Sequence, residues 1–329
     1  MRTSGCVHDG WLVLSDRSGE FDQNYLYHFL SSEEAYKQFD QLATGSTVRN
    51  LNIDSAKKVR VPLPPLPEQK RIVTILDEAF EGIDTAVANA EKNLANAREL
   101  FSSYVAAIFE NRDDDWIETT VGAQVDLRRG FAFRSPDYTT DLDGIRLLRG
   151  DNIVQGELRW DDVRRWPSTA RAAYNKYELE ENDIVLAMDR TWVKAGIKFA
   201  RISRDDVPAL LVQRVARMRC RKALSSGLLF HLLGSRLFEK YVLEIQTGLG
   251  VPHISGEQIQ AFRFNMPSVA AQNRTVEKLD AIRAHCESLI TTYQDKLALL
   301  DALRQSIVQK AFAGELTTRS ADTVQEAAE

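Results

Sequence analysis

Residues 63–109 read LPPLPEQKRIVTILDEAFEGIDTAVANAEKNLANARELFSSYVAAIF. From Val73 the apolar positions return every three or four residues: Leu76, Phe80, Ile83, Val87, Ala90, Leu94, Ala97, Phe101, Tyr104 and Ile108. No proline interrupts them. A seam of this length predicts one long helix of coiled-coil type. Pro67 suits its first turn, where a missing N–H costs nothing. At 1.5 Å per residue the helix runs on the order of 60 Å. It exposes a continuous apolar stripe, so it requires a partner.

The partner is encoded in the same chain. Residues 25–109 align without a gap on 228–312, at a constant offset of 203. His28 maps to His231, Thr44-Gly45 to Thr247-Gly248, Pro64 to Pro267 and Gln69 to Gln272. Arg71 maps to Arg274, Leu76-Asp77 to Leu279-Asp280, Leu100 to Leu303 and Phe109 to Phe312. The unit is far longer than a solenoid repeat, so it reads as a duplicated domain with its helix. Two such helices are expected to pack antiparallel about a pseudo-two-fold axis, with their globular parts at opposite ends and the pair as a spacer. Arg283 and Arg304 interrupt the second seam and read as side chains snorkelling at its edge. His28 and His231, being equivalent, read as helix-packing residues.

Between the helices the pattern is mixed α/β, which makes the fold class α+β. Strands are expected at Ile145–Leu148, Asp183–Ala187, Ile197–Ile202 and Leu210–Met218, and a helix over Leu228–Gln246. Asp143-Gly144, Gln155-Gly156 and Glu181-Asn182 are turn signals.

The composition excludes several classes. The chain has 329 residues, 44% hydrophobic and 27% charged, so it is globular. No apolar run approaches the roughly 20 residues of a membrane span, and no signal-peptide pattern opens the chain. Cys6, Cys220 and Cys286 are odd in number and far apart, which argues against disulfides or a cysteine zinc site and fits a cytoplasmic location. The five histidines lack metal-ligand spacing. Net charge is −5, yet residues 116–222 carry 20 Lys+Arg against 16 Asp+Glu, and 16 of those cations are Arg. Arginine forks phosphates and guanine edges better than lysine does. The clusters are Arg128-Arg129 with Arg134, then Arg190 to Lys194, then Gln213-Arg214 with Arg217 and Arg219. The last alternates with apolar residues and predicts a basic strand face.

No phosphate-binding loop, dinucleotide fingerprint, amino-methyltransferase motif, GxSxG or HExxH occurs. Glu68-Gln69-Lys70 fits half of a nuclease motif, but the Pro-Asp partner, Pro136-Asp137, lies downstream of it rather than upstream. The chain is therefore expected to have no catalytic residues and no metal.

With these features assembled, the sequence resembles the specificity (S) subunits of type I restriction-modification systems. LPPLPEQKRIV (63–73) opening a long helix carries the likeness, and MPSVAAQNRTV (266–276) is its second copy, with Ala271 in place of Glu68. RGFAFRSPDY (129–138), GIRLLRGDNI (144–153), ELEENDIVLAMD (178–189) and LLVQRVARMR (210–219) resemble successive pieces of that family's target recognition domains. KAFAGEL (310–316) resembles its chain end.

The resemblance implies a non-catalytic subunit that reads a bipartite, asymmetric double-stranded DNA target. Two modification subunits, which methylate adenine N6 with S-adenosylmethionine, would dock on it, and restriction subunits would add ATP/Mg-dependent cleavage. It divides the chain into a remnant of a first recognition domain (1–66), the first conserved helix (67–110), a second recognition domain (111–267), the second helix (268–316) and a tail (317–329). Against the family pattern the first recognition domain is expected to be truncated, completed by self-association or by a second chain. A DNA-independent coiled-coil scaffold is the alternative reading. A basic face on 113–267 favours DNA, and an acidic face favours the scaffold.

The candidate DNA contacts are Arg128, Arg129, Arg134, Arg190, Trp192, Lys194, Gln213 and Arg214. Thr247, Gly248 and His253 join them from a glycine-bearing loop suited to close approach to phosphate. Arg49 stands in the equivalent first-copy loop. Arg190 and Arg214 are expected to read bases, and Arg128 and Arg129 to hold phosphates.

Overall fold

The computed structural model describes residues 11–43, 50–110, 116–248 and 250–316. Arg49 and the expected tail lie outside them. Three short helices come first: α1 (Gln23–Leu30), α2 (Glu33–Leu42) and α3 (Ile53–Ala56). The first long helix, α4, is Leu66–Glu110. Then follow β1 (Ile117–Thr120), α5 (Val121–Gln124), β2 (Val125–Arg129), β3 (Ile145–Leu148), β4 (Gln155–Gly156) and β5 (Arg164–Trp166). Next are β6 (Ile184–Ala187), β7 (Trp192–Val193), β8 (Gly196–Ile197), β9 (Phe199–Arg201), β10 (Ala209–Leu211) and β11 (Val215–Cys220). The chain closes with α6 (Ser226–Leu233), α7 (Arg236–Ile245), α8 (Gly256–Ala261), β12 (Arg263–Met266) and the second long helix, α9 (Val269–Phe312).

The chain divides into two compact units, residues 1–95 with 290–329, and residues 96–289. In the first, Ile72, Val73, Leu76 and Phe80 of α4 cluster with Ile307, Val308, Ala311 and Phe312 of α9, and with Tyr25 of α1. Asp84 pairs with Arg304 farther along. Rising numbers on α4 meet falling numbers on α9, so the helices pack antiparallel, as their seams required. Leu76 is fully buried, and truncating such a leucine costs roughly 2–5 kcal/mol. Arg304 does not simply snorkel: it bridges to Asp84 across the helix pair and stacks its guanidinium 4.6 Å over the Phe80 ring. A charge at a seam position is tolerated there because it has both a counter-ion and an aromatic face.

Within the second unit, too, α4 and α9 are antiparallel. Cys286 of α9 is buried, and burial raises its thiol pKa against the opposing effect of the neighbouring Phe101 backbone of α4. Val105 and Phe109 share a core with Val276 and Leu279. Arg283 pairs with Glu287 one turn on and lies 4.9 Å over the Phe230 ring.

The body of this unit is a five-stranded sheet in the order β2-β11-β6-β9-β4, beside a three-stranded sheet β10-β3-β5. All four residues of β6 are buried. Side chains alternate across a strand: Ile184 and Leu186 face α6 and α7 with Ala216 and Met218, while Val185 and Ala187 join Leu148, Ala209, Leu211 and Val215 on the other side. A strand covered on both faces has no polar alternation, which is why residues 184–187 read as an unbroken apolar run.

Three expected elements divide, one of them Ile197–Ile202, which is split between β8 and β9 in different sheets. Leu228–Gln246 is not one helix: α6 ends at Gly234, and Ser235 starts α7 by accepting the Phe238 N–H on its hydroxyl at 3.3 Å. A Ser N-cap satisfies a donor that a continuous helix would have used itself. Leu210–Met218 is likewise β10 and β11, separated by a turn at 212–214 in which Arg214 is left-handed (φ +66°).

The duplication extends to the joints. Gln69 is fully buried at the start of α4. Its Oε1 accepts the Asp22 N–H at 2.7 Å, and its Nε2 donates to the carbonyls of Glu20 and Pro64 at 2.8 Å each. Gln272, at the start of α9, repeats all three with Ser225, Ala223 and Pro267 at 2.8, 2.8 and 3.0 Å. His28 and His231 hydrogen-bond Asp77 and Asp280 through Nε2 at 3.0 and 2.8 Å. They are packing residues, as their repeat positions suggested.

Candidate nucleic-acid interface

At one end of the five-stranded sheet, four chain segments are tied into one cluster by main-chain hydrogen bonds. Gly130 N–H donates to Val215 at 3.0 Å, Phe131 N–H to Leu211 at 3.0 Å, and Gln213 N–H to Phe131 at 2.8 Å. Met188 N–H donates to Arg214 at 2.8 Å. Arg190 N–H donates to Pro252 at 2.7 Å, and Ile254 N–H to Met188 at 2.9 Å. Residues distant in sequence, 129–131, 188–190, 211–215 and 252–254, are thereby fixed against each other by backbone alone. The side chains at their tips are left to solvent.

The glycines explain how the segments approach so closely. A Cβ on Gly130 would stand 2.0 Å from the Val212 carbonyl oxygen. Gly248 has φ +106°, and a Cβ there would meet the Val251 carbonyl oxygen at 2.5 Å. Both are required by the loop's own geometry. His253 holds the same loop from inside: its Nδ1 lies 3.2 Å from the Val251 carbonyl and its Nε2 lies 3.3 Å from Thr247 Oγ1. The carbonyl can only accept, which places a ring proton on Nδ1.

Arg129, Arg190, Gln213, Arg214, Thr247 and Gly248 are exposed on the cluster. Arg190 and Arg214 both adopt left-handed backbone (φ +46° and +66°). An L side chain there costs about 1–2 kcal/mol, and such outliers concentrate at functional sites. Arg134 is exposed three residues beyond Phe131. Arg128 is half-buried in β2 opposite Arg217. Lys194 stands exposed at the tip of the β7–β8 hairpin. Trp192 turns the other way: its Nε1 donates to Glu239 of α7 at 2.6 Å and its ring packs on the main core.

The basic strand face expected from Gln213 to Arg219 does not exist. Arg217 is buried and paired with Asp126. Arg219 forks Asp183 at 2.8 and 2.9 Å and also pairs with Glu180. These carboxylates come from β2 and from the approach to β6, too far along the chain for local alternation to reveal them.

Two charged residues of the cluster escaped the sequence reading. Asp189 sits between Met188 and Arg190 with its Oδ2 3.6 Å from Arg214 Nε. Lys198 is half-buried beside Arg190, and burial pushes its amine below the usual lysine range against the opposing pull of Asp151. A carboxylate ending a buried apolar strand, directly before an arginine, was the available signal for the first.

Cys220 is inert here, its thiol pushed up to about 12 by burial and by the Asp183 charge. Among the described residues no cluster of His, Cys, Asp or Glu could hold a metal, and no helix is long and apolar enough to cross a membrane.

An α+β body joined to a pair of long antiparallel helices, with an arginine-bearing loop cluster, matches known proteins. Residues 3–93 match the type I restriction modification DNA specificity domain. The chain is 34% identical over 202 residues to the type I restriction enzyme EcoAI specificity subunit of Escherichia coli, covering 59% of this chain and 33% of that protein. It is 24% identical over 328 residues to the MjaVIII specificity subunit of Methanocaldococcus jannaschii, covering 96% and 75%. Among solved structures, a chain from a study of type I R-M complex assembly and conformational transition superposes with a TM-score of 0.74 at 19% identity, covering 88% of this chain and 71% of that one. The HsdS subunit from Thermoanaerobacter tengcongensis superposes at 0.55 and 19% identity, over 89% and 70%. These likenesses are all to type I restriction-modification specificity subunits or their complexes, in sequence over up to 96% of this chain and in fold over up to 89%. The chain spans a third of the length of the EcoAI subunit and three quarters of that of the MjaVIII subunit.

Proposed function

We propose that the chain is a DNA-sequence-specificity subunit, reading one half of a bipartite target through residues 111–267 and docking modification subunits, with the helix pair as the spacer between half-sites. The observation that carries this is the loop cluster. Exposed Arg129, Arg190 and Arg214 stand on rigid, mutually hydrogen-bonded tips at one sheet end. That arrangement suits a groove and serves no purpose in a pure scaffold. Arg129 would hold phosphate beside Gly130, and Arg190 and Arg214 would reach base edges. S-adenosylmethionine and ATP/Mg would belong to the modification and restriction partners, and this chain would carry no reacting group.

The test is to express the chain with a cognate modification subunit and map methylated adenines across the host genome. A single bipartite motif is expected, dependent on both proteins. The purified chain alone should transfer no methyl group, hydrolyse no ATP and cut no DNA. Methylation by the isolated chain, or no motif from the complex, would overturn the reading.

A further inference from the structure

The loop cluster contains a carboxylate where attraction to DNA by charge alone would exclude one. Asp189 leaves the end of β6 on the segment bonded to the Arg214 carbonyl and to the 252–254 loop. Its side chain is 34% exposed and that of Arg214 is 64% exposed, with 3.6 Å between Oδ2 and Nε. Among the described residues neither side chain has another ion pair or hydrogen bond. The other carboxylate of the cluster, Glu257, is 3.9 Å from Arg129 and wholly at the rim, 71% exposed. Asp189 is held deeper, between two left-handed arginine tips.

A carboxylate is repelled by phosphates and has no use against an acceptor. It gains a direct contact in a DNA groove only where a base presents a donor. Arg214 has the opposite requirement, paired acceptors for its forked N–H groups. In the major groove, guanine shows N7 and O6 as adjacent acceptors, and the N4 amino donor of the paired cytosine lies next to them. An A·T pair places a donor between its acceptors and offers the fork no such edge. We propose that Asp189 and Arg214 act as one unit that reads a single G·C base pair, Arg214 taking guanine N7 and O6 and Asp189 accepting from cytosine N4. Asp189 is thus a specificity-determining residue. It aims Arg214 and penalises every alignment that puts a phosphate or a base acceptor at its carboxylate. The proposal rests on the DNA-reading function above and adds the base pair and the residues that choose it.

The experiment uses the full chain assembled with its modification subunit. Binding is measured to the mapped target, to duplexes changed at each position in turn, and to random duplex. Asp189→Asn and Arg214→Lys are compared with the wild type. Both variants should lose discrimination at the same single G·C position, by on the order of 10- to 100-fold, with all other positions unchanged. Arg214→Lys should lose much less affinity for random duplex than for the mapped target, since the charge remains, and Asp189→Asn should bind random duplex more tightly. Retained random-duplex binding also shows that each variant is folded. The proposal is overturned if the two variants relax different positions, if the position is A·T, if neither relaxes any, or if Asp189→Asn abolishes all binding. A wild-type complex that shows no preferred sequence refutes the DNA-reading function itself, which is a separate outcome.

Discussion

Gln69 and Gln272 occupy equivalent positions in the two copies and make the same three hydrogen bonds, each accepting from an N-cap residue's N–H and donating to two carbonyls. The amide thereby locks the first turn of a long helix onto the segment that starts a packed helical pair. Truncation leaves an N–H and two carbonyls without partners in a part-buried joint, together worth about 3 kcal/mol at the low end of roughly 1–3 kcal/mol each. Gln272→Ala should therefore destabilise the fold by about 3 kcal/mol, read as a lower urea midpoint. Gln69→Ala should cost a similar amount. A change below about 1 kcal/mol in both would contradict this role.

The pH dependence of stability should report His231. Burial holds its imidazole below the ordinary histidine range, outweighing Asp280, while the Arg283 and Arg201 charges act in the same direction as burial. The folded state therefore favours the neutral ring, and the unfolded chain takes up the proton first. The stabilisation is complete above the unfolded-state value of about 6.5 and declines as pH falls through it. Between about pH 7.5 and 5.5 the melting temperature should fall more steeply for the wild type than for His231→Gln. Parallel curves would exclude the effect.

Backbone strain and DNA contact at Arg190 should separate by substitution. Glycine relieves a left-handed φ and alanine does not, a difference of about 1 kcal/mol. Arg190→Gly should be more stable than Arg190→Ala by that amount in denaturant titration. Both should bind DNA equally poorly, since both lack the guanidinium. Equal stability would mean that the loop relaxes to another conformation in one variant.

Arg217 provides the opposite case, an arginine serving the fold. It is 4% exposed and bonded to Asp126, which remains solvated without it. An apolar residue of similar length replaces such a buried ion at little cost. Arg217→Met should leave stability within about 1 kcal/mol, and should leave DNA affinity and its salt slope unchanged. Arg129→Ala should instead lower affinity for every duplex and reduce the salt slope by about 1. A lower salt slope for Arg217→Met would restore the basic strand face that the Asp126 and Asp183 pairs remove.

The long helices were legible because a seam repeated every three or four residues leaves no other structure to fit, and because the copy at 276–307 keeps its register through Arg283 and Arg304. The break at Gly234-Ser235 was not, since Leu233 and Leu237 continue the apolar spacing straight across it. For the site, the glycine loops and the tip arginines could be read locally. Arg214, Arg217 and Arg219 could not be told apart, although one stands exposed at a tip beside Asp189 and two are neutralised within the sheet. What separates them is Asp126, Glu180 and Asp183, brought in by sheet order. Trp192 depended in the same way on Glu239, 47 residues away.

The glutamine joints bind only main-chain atoms. Gln69 meets the peptide groups of Glu20, Asp22 and Pro64, and Gln272 those of Ala223, Ser225 and Pro267. Except at the proline, the partner side chains already differ between the copies: a carboxylate faces a methyl, and a second carboxylate faces a hydroxyl. A joint made this way is indifferent to the chemistry of the body it holds. The side chains of the globular part can change at these contacts while the amide present in both copies keeps it seated. Variation in the body is in this way uncoupled from maintenance of the frame that carries it.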